Sequence, residues 1–243
     1  MPCTVCGSAD TVRSHIMPKA LAHDAKEGAP HLVVAQRGKA GVKFSQGGWF
    51  DPDILCDVHE RITGDLDRYG VDFVRRARVI DAGHNGGATI DVPNPSPDTL
   101  RRFALSVIWR EIVSENGAKR GKGLGKRTAE FRDAVFAGGL TTAPIFVSLP
   151  KFTAGSDAAV PFGLHPFQIR LMGRIAWSFT IAGCAFHVGT DSQGFPSRFD
   201  YLRADTSDPA RVLIGDAQDI RTVGILKPLL REMVDIPAKK LTS

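Results

Sequence analysis

The sequence predicts an α+β chain, with a small module over residues 1–75 followed by a mixed α/β region over residues 90–243. Three observations predict it. Cysteine and histidine recur in two pairs of equal spacing, Cys3/Cys6 and Cys56/His59. Apolar residues recur at helical spacing after Ser96. From Gln168 to Val188 they come close to alternating, as in strands.

The N-terminal module rests on the two pairs. Cys3-Thr-Val-Cys6-Gly7 is a tight knuckle. Two thiolates at this spacing reach one ion only if the backbone turns sharply, and the glycine permits that turn. Cys56-Asp-Val-His59 supplies two further ligands. Three thiolates and an imidazole complete a closed tetrahedral set, the usual structural arrangement for Zn²⁺. The fourth cysteine, Cys184, forms the same spacing with His187 but lies in an apolar strand pattern. Alternation puts that pair on opposite faces, and both residues read as core.

A glycine- and proline-rich break follows, through Asp81-Ala-Gly-His-Asn-Gly-Gly and Pro93-Asn-Pro-Ser-Pro97. The glycines at 47–48 and 86–87 read as turns, without the strand–helix context of a dinucleotide site. The next helix has a full set of start signals. Ser96 can cap it, Pro97 suits its first turn, and Asp98 complements the positive end of its dipole. Leu100, Phe103, Ala104, Val107, Ile108 and Ile112 form its apolar stripe, with Trp109 beside it as core. Arg101, Arg102 and Arg110 add charge to this helix, partly answered by Glu111 and Glu115. A short helix is expected over Thr128–Ala137, stopped by Gly138. Ile145–Ser148 and Gln168–Val188 read as strands, and a last helix over Ala217–Val234 should kink at Pro228.

Composition excludes some classes. A chain of 243 residues that is 43% hydrophobic and 23% charged can bury a real core. No run approaches the ~20 apolar residues of a membrane helix, and no secretory pattern opens the sequence. The expectation is a cytoplasmic chain with no membrane partner, in which clustered cysteines point to metal before disulfide. The net charge of +5 favours a polyanionic partner.

Between the metal pairs stands Ser14-His15-Ile16-Met17-Pro18-Lys19. A C-x-x-C-G knuckle, an x-His-Ile-x-Pro segment and a Leu-Cys-x-x-His opening a helix resemble the zinc-stabilised HNH nucleases, over Cys3 to about Gly70. The resemblance implies a treble-clef or ββα-metal finger and metal-dependent hydrolysis of phosphodiesters. It implies His15 as the general base on the attacking water, a task suited to an imidazole. It implies Asp51 as the brace of the catalytic loop. It implies Glu60 as the ligand of a catalytic Mg²⁺ or Mn²⁺, which a carboxylate suits. Ser14 stands where many members carry an aspartate or histidine ligand, and an insertion falls around residues 23–46. The chain resembles most a divergent branch with Ser-His-Ile-x-Pro-Lys. Such nucleases often belong to phages, mobile elements or antiphage systems.

Lys119-Arg-Gly-Lys-Gly-Leu-Gly-Lys-Arg127 packs five cations among three glycines. Lys119, Arg120, Lys122, Lys126 and Arg127 can neutralise a phosphate backbone while the glycines let main-chain N–H groups approach. Lys19 and His23 could add phosphate contacts. The segment is not a P-loop, because Arg120 and Arg127 stand where that motif needs glycine and serine or threonine. The expected partner is nucleic acid, DNA before RNA. The alternatives are a degenerate finger that binds nucleic acid without cutting it, or a scaffold for a protein partner or a second copy of the chain.

Overall fold

The computed structural model describes residues 2–24, 32–35, 42–45, 48–83, 88–119, 123–151, 163–206 and 208–216. The expected helix over 217–234, Gly47, Gly86 and Gly87, and both Arg120 and Lys122 lie outside them, while Gly48 is described and takes a φ of +80°.

The fold is mixed α and β. The knuckle leads into β1 (Val12–His15) and α1 (Lys19–Asp24). A separate hairpin, β2 (Leu32–Ala35) and β3 (Val42–Ser45), falls within the expected insertion. The chain returns as β4 (Phe50–Leu55), antiparallel to β1, and enters α2 (Asp57–Ala82). Then come β5 (Thr89–Val92), α3 (Pro97–Val113), α4 (Glu115–Lys119), α5 (Arg127–Phe136), β6 (Ile145–Lys151), β7 (Leu164–Leu171), β8 (Arg174–Ile181) and β9 (Cys184–Gly189). A 3₁₀ turn (Ser197–Leu202) precedes β10 (Ala210–Asp216). The large sheet runs β5-β10-β6-β9-β8-β7, with β10–β6 as its parallel contact.

Amphipathic spacing explains α2. Thr63, Leu66, Gly70, Phe73, Val74 and Ala77 recur every three or four residues and are buried. Gly70 lets the Phe103 ring of α3 pack directly on the α2 backbone: a Cβ there would lie 2.4 Å from that ring. The helix runs on to Ala82, into the expected break, and β5 occupies part of the rest. Arg75 grips Asp24 through two hydrogen bonds of 2.8 and 3.0 Å, which ties α1 to α2.

The centre of the molecule is α3. Every residue from Phe103 to Glu111 is buried, because α2, α5 and the sheet surround the helix. Phe103 meets Phe179 and Phe186 edge-on, and those two rings stack with centroids 5.0 Å apart. Aromatic pairs of this kind contribute about 0.5–1.5 kcal/mol each beyond their buried area. One continuous core runs from Cys3 and Ile16 through α2 and α3 to Val212 on β10. Ser96 does sit at the N-cap of α3, but its hydroxyl bonds the Thr99 hydroxyl at 2.6 Å rather than a main-chain N–H.

Burial of α3 from Phe103 to Glu111 overturns the sequence expectation for Arg110. Its side chain has no exposure and is not answered by Glu111 or Glu115. All five of its N–H groups are used: Nη1 donates to Asp67 and to the His15 carbonyl, Nη2 to Asp67 and the Ser106 hydroxyl, and Nε to the Ser106 carbonyl. Glu111 instead meets Nδ1 of His165 at 3.0 Å, and Glu115 pairs with Lys119.

The strand stretch expected over 168–188 is three strands, β7 to β9, joined by tight turns at Met172-Gly173 and Ala182-Gly183. All four turn residues have positive φ, at 52, 78, 47 and 78°. Primed turns of this kind match the twist of a hairpin. Cys184 and His187 are both buried on β9, as expected. Cys184 joins the core against the helices, while His187 lies between the hydroxyls of Ser148 (3.0 Å) and Ser178 (2.9 Å).

Candidate functional site

Four side chains converge where the knuckle meets the start of α2. The ligand atoms of Cys3, Cys6, Cys56 and His59 all lie within 4.8 Å of one another. The local sequence explains the placement. Gly7 takes φ of +76° and its N–H returns to the Cys3 carbonyl at 2.8 Å, which closes the knuckle. The Thr4 N–H and hydroxyl both reach the Ile54 carbonyl at 2.9 Å and dock the knuckle on β4. Cys56 is the N-cap of α2, so its sulfur lies at the positive end of a long helix, and His59 follows within the first turn.

The spacing suits a tetrahedral ion. Cys6 and Cys56 sulfurs are 3.8 Å apart, and His59 Nδ1 lies 3.6 Å from the Cys3 sulfur and 3.2 Å from that of Cys56. A tetrahedron with bonds of ~2.3 Å to sulfur and ~2.0–2.1 Å to nitrogen has edges of about 3.8 and 3.5 Å. Burial alone would push the Cys3 thiol up, but the main-chain N–H groups of Cys6, Val5 and Cys56 hold it down at about 6. The His59 ring is braced edge-on by Phe136 of α5, 5.3 Å between centroids. The group could therefore hold a metal such as zinc.

Beside this cluster lies the seam between β1, β4 and the first turn of α2. His15 is the last residue of β1 and pairs with Phe50, while Ser14 pairs with Asp51. Alternation turns Ser14 and Asp51 inward, where both are buried, and leaves His15 half-buried on the other side. Asp51 is engaged on both sides: one oxygen accepts the Asp53 N–H at 2.9 Å and the other the Glu115 N–H at 2.8 Å. It braces β4 and the start of α4, with each oxygen already accepting one main-chain N–H.

His15 and Glu60 are different. Neither ring nitrogen of His15 has a hydrogen-bond partner among the described residues. Burial pushes its imidazole below the usual value, and the cations Arg13, Lys19 and Arg110 push it the same way. Its main-chain carbonyl is held by Arg110 at 2.6 Å, which fixes the strand end. Glu60 sits against the Ser14 hydroxyl and the His15 main chain. Burial lifts its carboxyl above the usual range against the pull of Ser14 and Arg110, and its Oε2 is buried with no hydrogen-bond partner.

The cationic residues named from sequence do not gather. Lys19 opens α1 and is exposed, as is His23 in its last turn. Lys119 is exposed at the end of α4 and pairs with Glu115 at 2.5 Å. Lys126 caps α5, and Arg127 is partly buried, donating to the Asp191 carbonyl at 3.4 Å with Glu130 3.6 Å away. Sequence reasoning missed Arg110, Asp67 and Arg13. A signal for the first existed: apolar residues occupy nearly every position from Phe103 to Trp109, leaving that helix no polar face on which Arg110 could be solvated.

No protein-family model matches this chain, and no curated protein or solved structure matches it either.

Proposed function

We propose that this chain is a metal-dependent endonuclease of the HNH type, in which a structural Zn²⁺ on Cys3, Cys6, Cys56 and His59 holds a treble-clef finger together. The observation that carries the reading is the state of His15: half-buried, without a hydrogen-bond partner among the described residues, and pushed toward its neutral form by burial and by three cations. A neutral imidazole near phosphate-binding cations is suited to accept a proton from water. Glu60 supports the same reading, because its buried Oε2 has no hydrogen-bond partner and the residue lies against the His15 main chain. A divalent ion held there by Glu60 and substrate oxygens would supply charge stabilisation at the phosphate. His15 accepts the proton of the attacking water, Arg110 holds the His15 strand in place, and Asp51 ties β4 to the start of α4. The favoured substrate is DNA.

One observation favours a second reading, a finger that binds nucleic acid without cutting it. Ser14 is fully buried, and both Asp51 oxygens already accept a main-chain N–H, so the seam offers a metal little beyond the unpartnered Oε2 of Glu60. The test incubates zinc-retaining protein with supercoiled plasmid, linear duplex, single-stranded DNA and RNA, with added Mg²⁺, Mn²⁺ or no divalent ion. Metal-dependent cutting that His15→Ala abolishes and Glu60→Gln weakens supports the nuclease. Salt-dependent binding without cutting under any metal refutes it and leaves the second reading.

A further inference from the structure

The outward side of the β1–β4 ribbon carries a feature that packing does not call for. Phe50 is a large apolar ring left 42% exposed on β4, directly across from His15. The guanidinium carbon of Arg13, two residues before His15 on the same face, lies over that ring 3.3 Å from its centroid. The imidazole of His15 lies on the same side, tilted 55° to the ring with centroids 6.3 Å apart.

The same surface carries cations that no carboxylate among the described residues answers. Several surface arginines have carboxylate partners: Arg61 with Asp57, Arg68 with Asp65, Arg75 with Asp24, Arg76 with Asp72 and Arg211 with Asp91. Arg13 and Lys19 have none among the described residues. Both act on the His15 imidazole, so two uncompensated cations, an exposed aromatic ring and a free histidine share one small surface. Asp51, the acid of the facing strand at this point, is turned into the interior.

We infer that Arg13 and Phe50 form a stacking ledge for an unpaired nucleobase, placing the adjoining phosphate against Lys19 and His15, and that the substrate is therefore single-stranded nucleic acid. The inference rests on the nucleic-acid reading above and narrows it. A guanidinium lying flat on an aromatic ring is a planar, positively charged platform, and bases stack on such planes irrespective of sequence. A base inside a duplex has both faces covered by its neighbours, so the ledge has nothing to engage there. A protein partner is disfavoured because burying Arg13 and Lys19 against it without acids would leave two desolvated charges.

The test measures fluorescence anisotropy of short labelled oligonucleotides in buffer without added Mg²⁺ or Mn²⁺, so that no strand is cut. The same strand is presented single-stranded, as a duplex, and with abasic sites. The wild-type protein is expected to bind the single strand at least tenfold tighter than the duplex or the abasic strand. Phe50→Ala should weaken the single strand by roughly tenfold and leave the duplex unchanged. Arg13→Lys should weaken it similarly while keeping the salt dependence, because the charge is retained and the planar stack is lost. Zinc content and circular dichroism verify that each variant is folded. If Phe50→Ala proves unstable, Phe50→Leu and Arg13→Lys test the same claim. Equal affinity for intact and abasic strands, or no effect of the folded variants while salt-dependent binding persists, overturns the ledge and spares the nucleic-acid reading. Absence of binding to every strand overturns both.

Discussion

Replacing Asp67 with alanine should destabilise the protein more than most single truncations of its core. The Arg110 side chain has no solvent exposure, and its five N–H groups meet five acceptor contacts. Two of these come from Asp67, at 3.0 and 2.6 Å, and Asp67 is the carboxylate that balances the charge. Asp67→Ala removes both and leaves a guanidinium buried against carbonyl and hydroxyl dipoles alone. Breaking a buried pair in this way costs about 3–5 kcal/mol. Against a total stability of roughly 5–15 kcal/mol for a typical domain, that is a large fraction. Urea unfolding followed by far-ultraviolet circular dichroism measures it. The double variant Asp67→Leu/Arg110→Met should recover most of the loss, because removing both charges removes the desolvation problem. A cost under about 1 kcal/mol for Asp67→Ala, or a double variant no better than the single one, would refute the view that Arg110 depends on Asp67.

Two further outcomes are expected. Purified protein should contain one zinc per chain by elemental analysis, and Cys56→Ser should lose it and melt at lower temperature; full retention of zinc in that variant would show that the quartet is not the site. His187 should make stability fall in acid. Burial holds its imidazole at about 4 against an ordinary 6.5, so the unfolded chain takes up a proton that the native state refuses. Its contribution is complete above pH 6.5 and is lost as the pH falls toward about 4. At about 1.4 kcal/mol per unit the loss approaches roughly 3 kcal/mol. His187→Asn should flatten the difference between unfolding free energies at pH 7 and pH 4 by about that amount, and an unchanged slope would sink the assignment.

The readable parts of this sequence are those whose cause is local. The metal quartet is legible because a C-x-x-C-G turn and a C-x-x-H helix start each fix geometry within a few residues. The third helix announces itself through Pro97, Asp98 and its apolar period, and the fifth runs Arg127–Phe136 with Gly138 at φ of +70°, close to the expected span. The hairpin turns were not legible, because Met172 and Ala182 take the left-handed region where asparagine or glycine is the usual signal. The strand Thr89–Val92 escaped for a different reason: its pairing with Ala210–Leu213 is set by residues some hundred positions away. The same limit hid Arg110. A charge on a helix looks solvated until the neighbours that bury it are known, and Asp67 lies 43 residues earlier. At the seam, sequence and resemblance pointed to His15, Asp51 and Glu60 alike, and it took hydrogen-bond accounting to separate the committed Asp51 from the other two.

The place of β10 in the sheet has a consequence for the order in which a ribosome delivers this fold. The quartet of metal ligands is complete once His59 has been made. The sheet is assembled the other way round, since β10 lies between β5 and β6 and is the strand that joins them. Until Asp216 is synthesised, β5 waits without its neighbour while β6 to β9 can already pair. Translation therefore yields a growing chain whose metal ligands are all present before its sheet is sutured between β5 and β6 by a strand made after both.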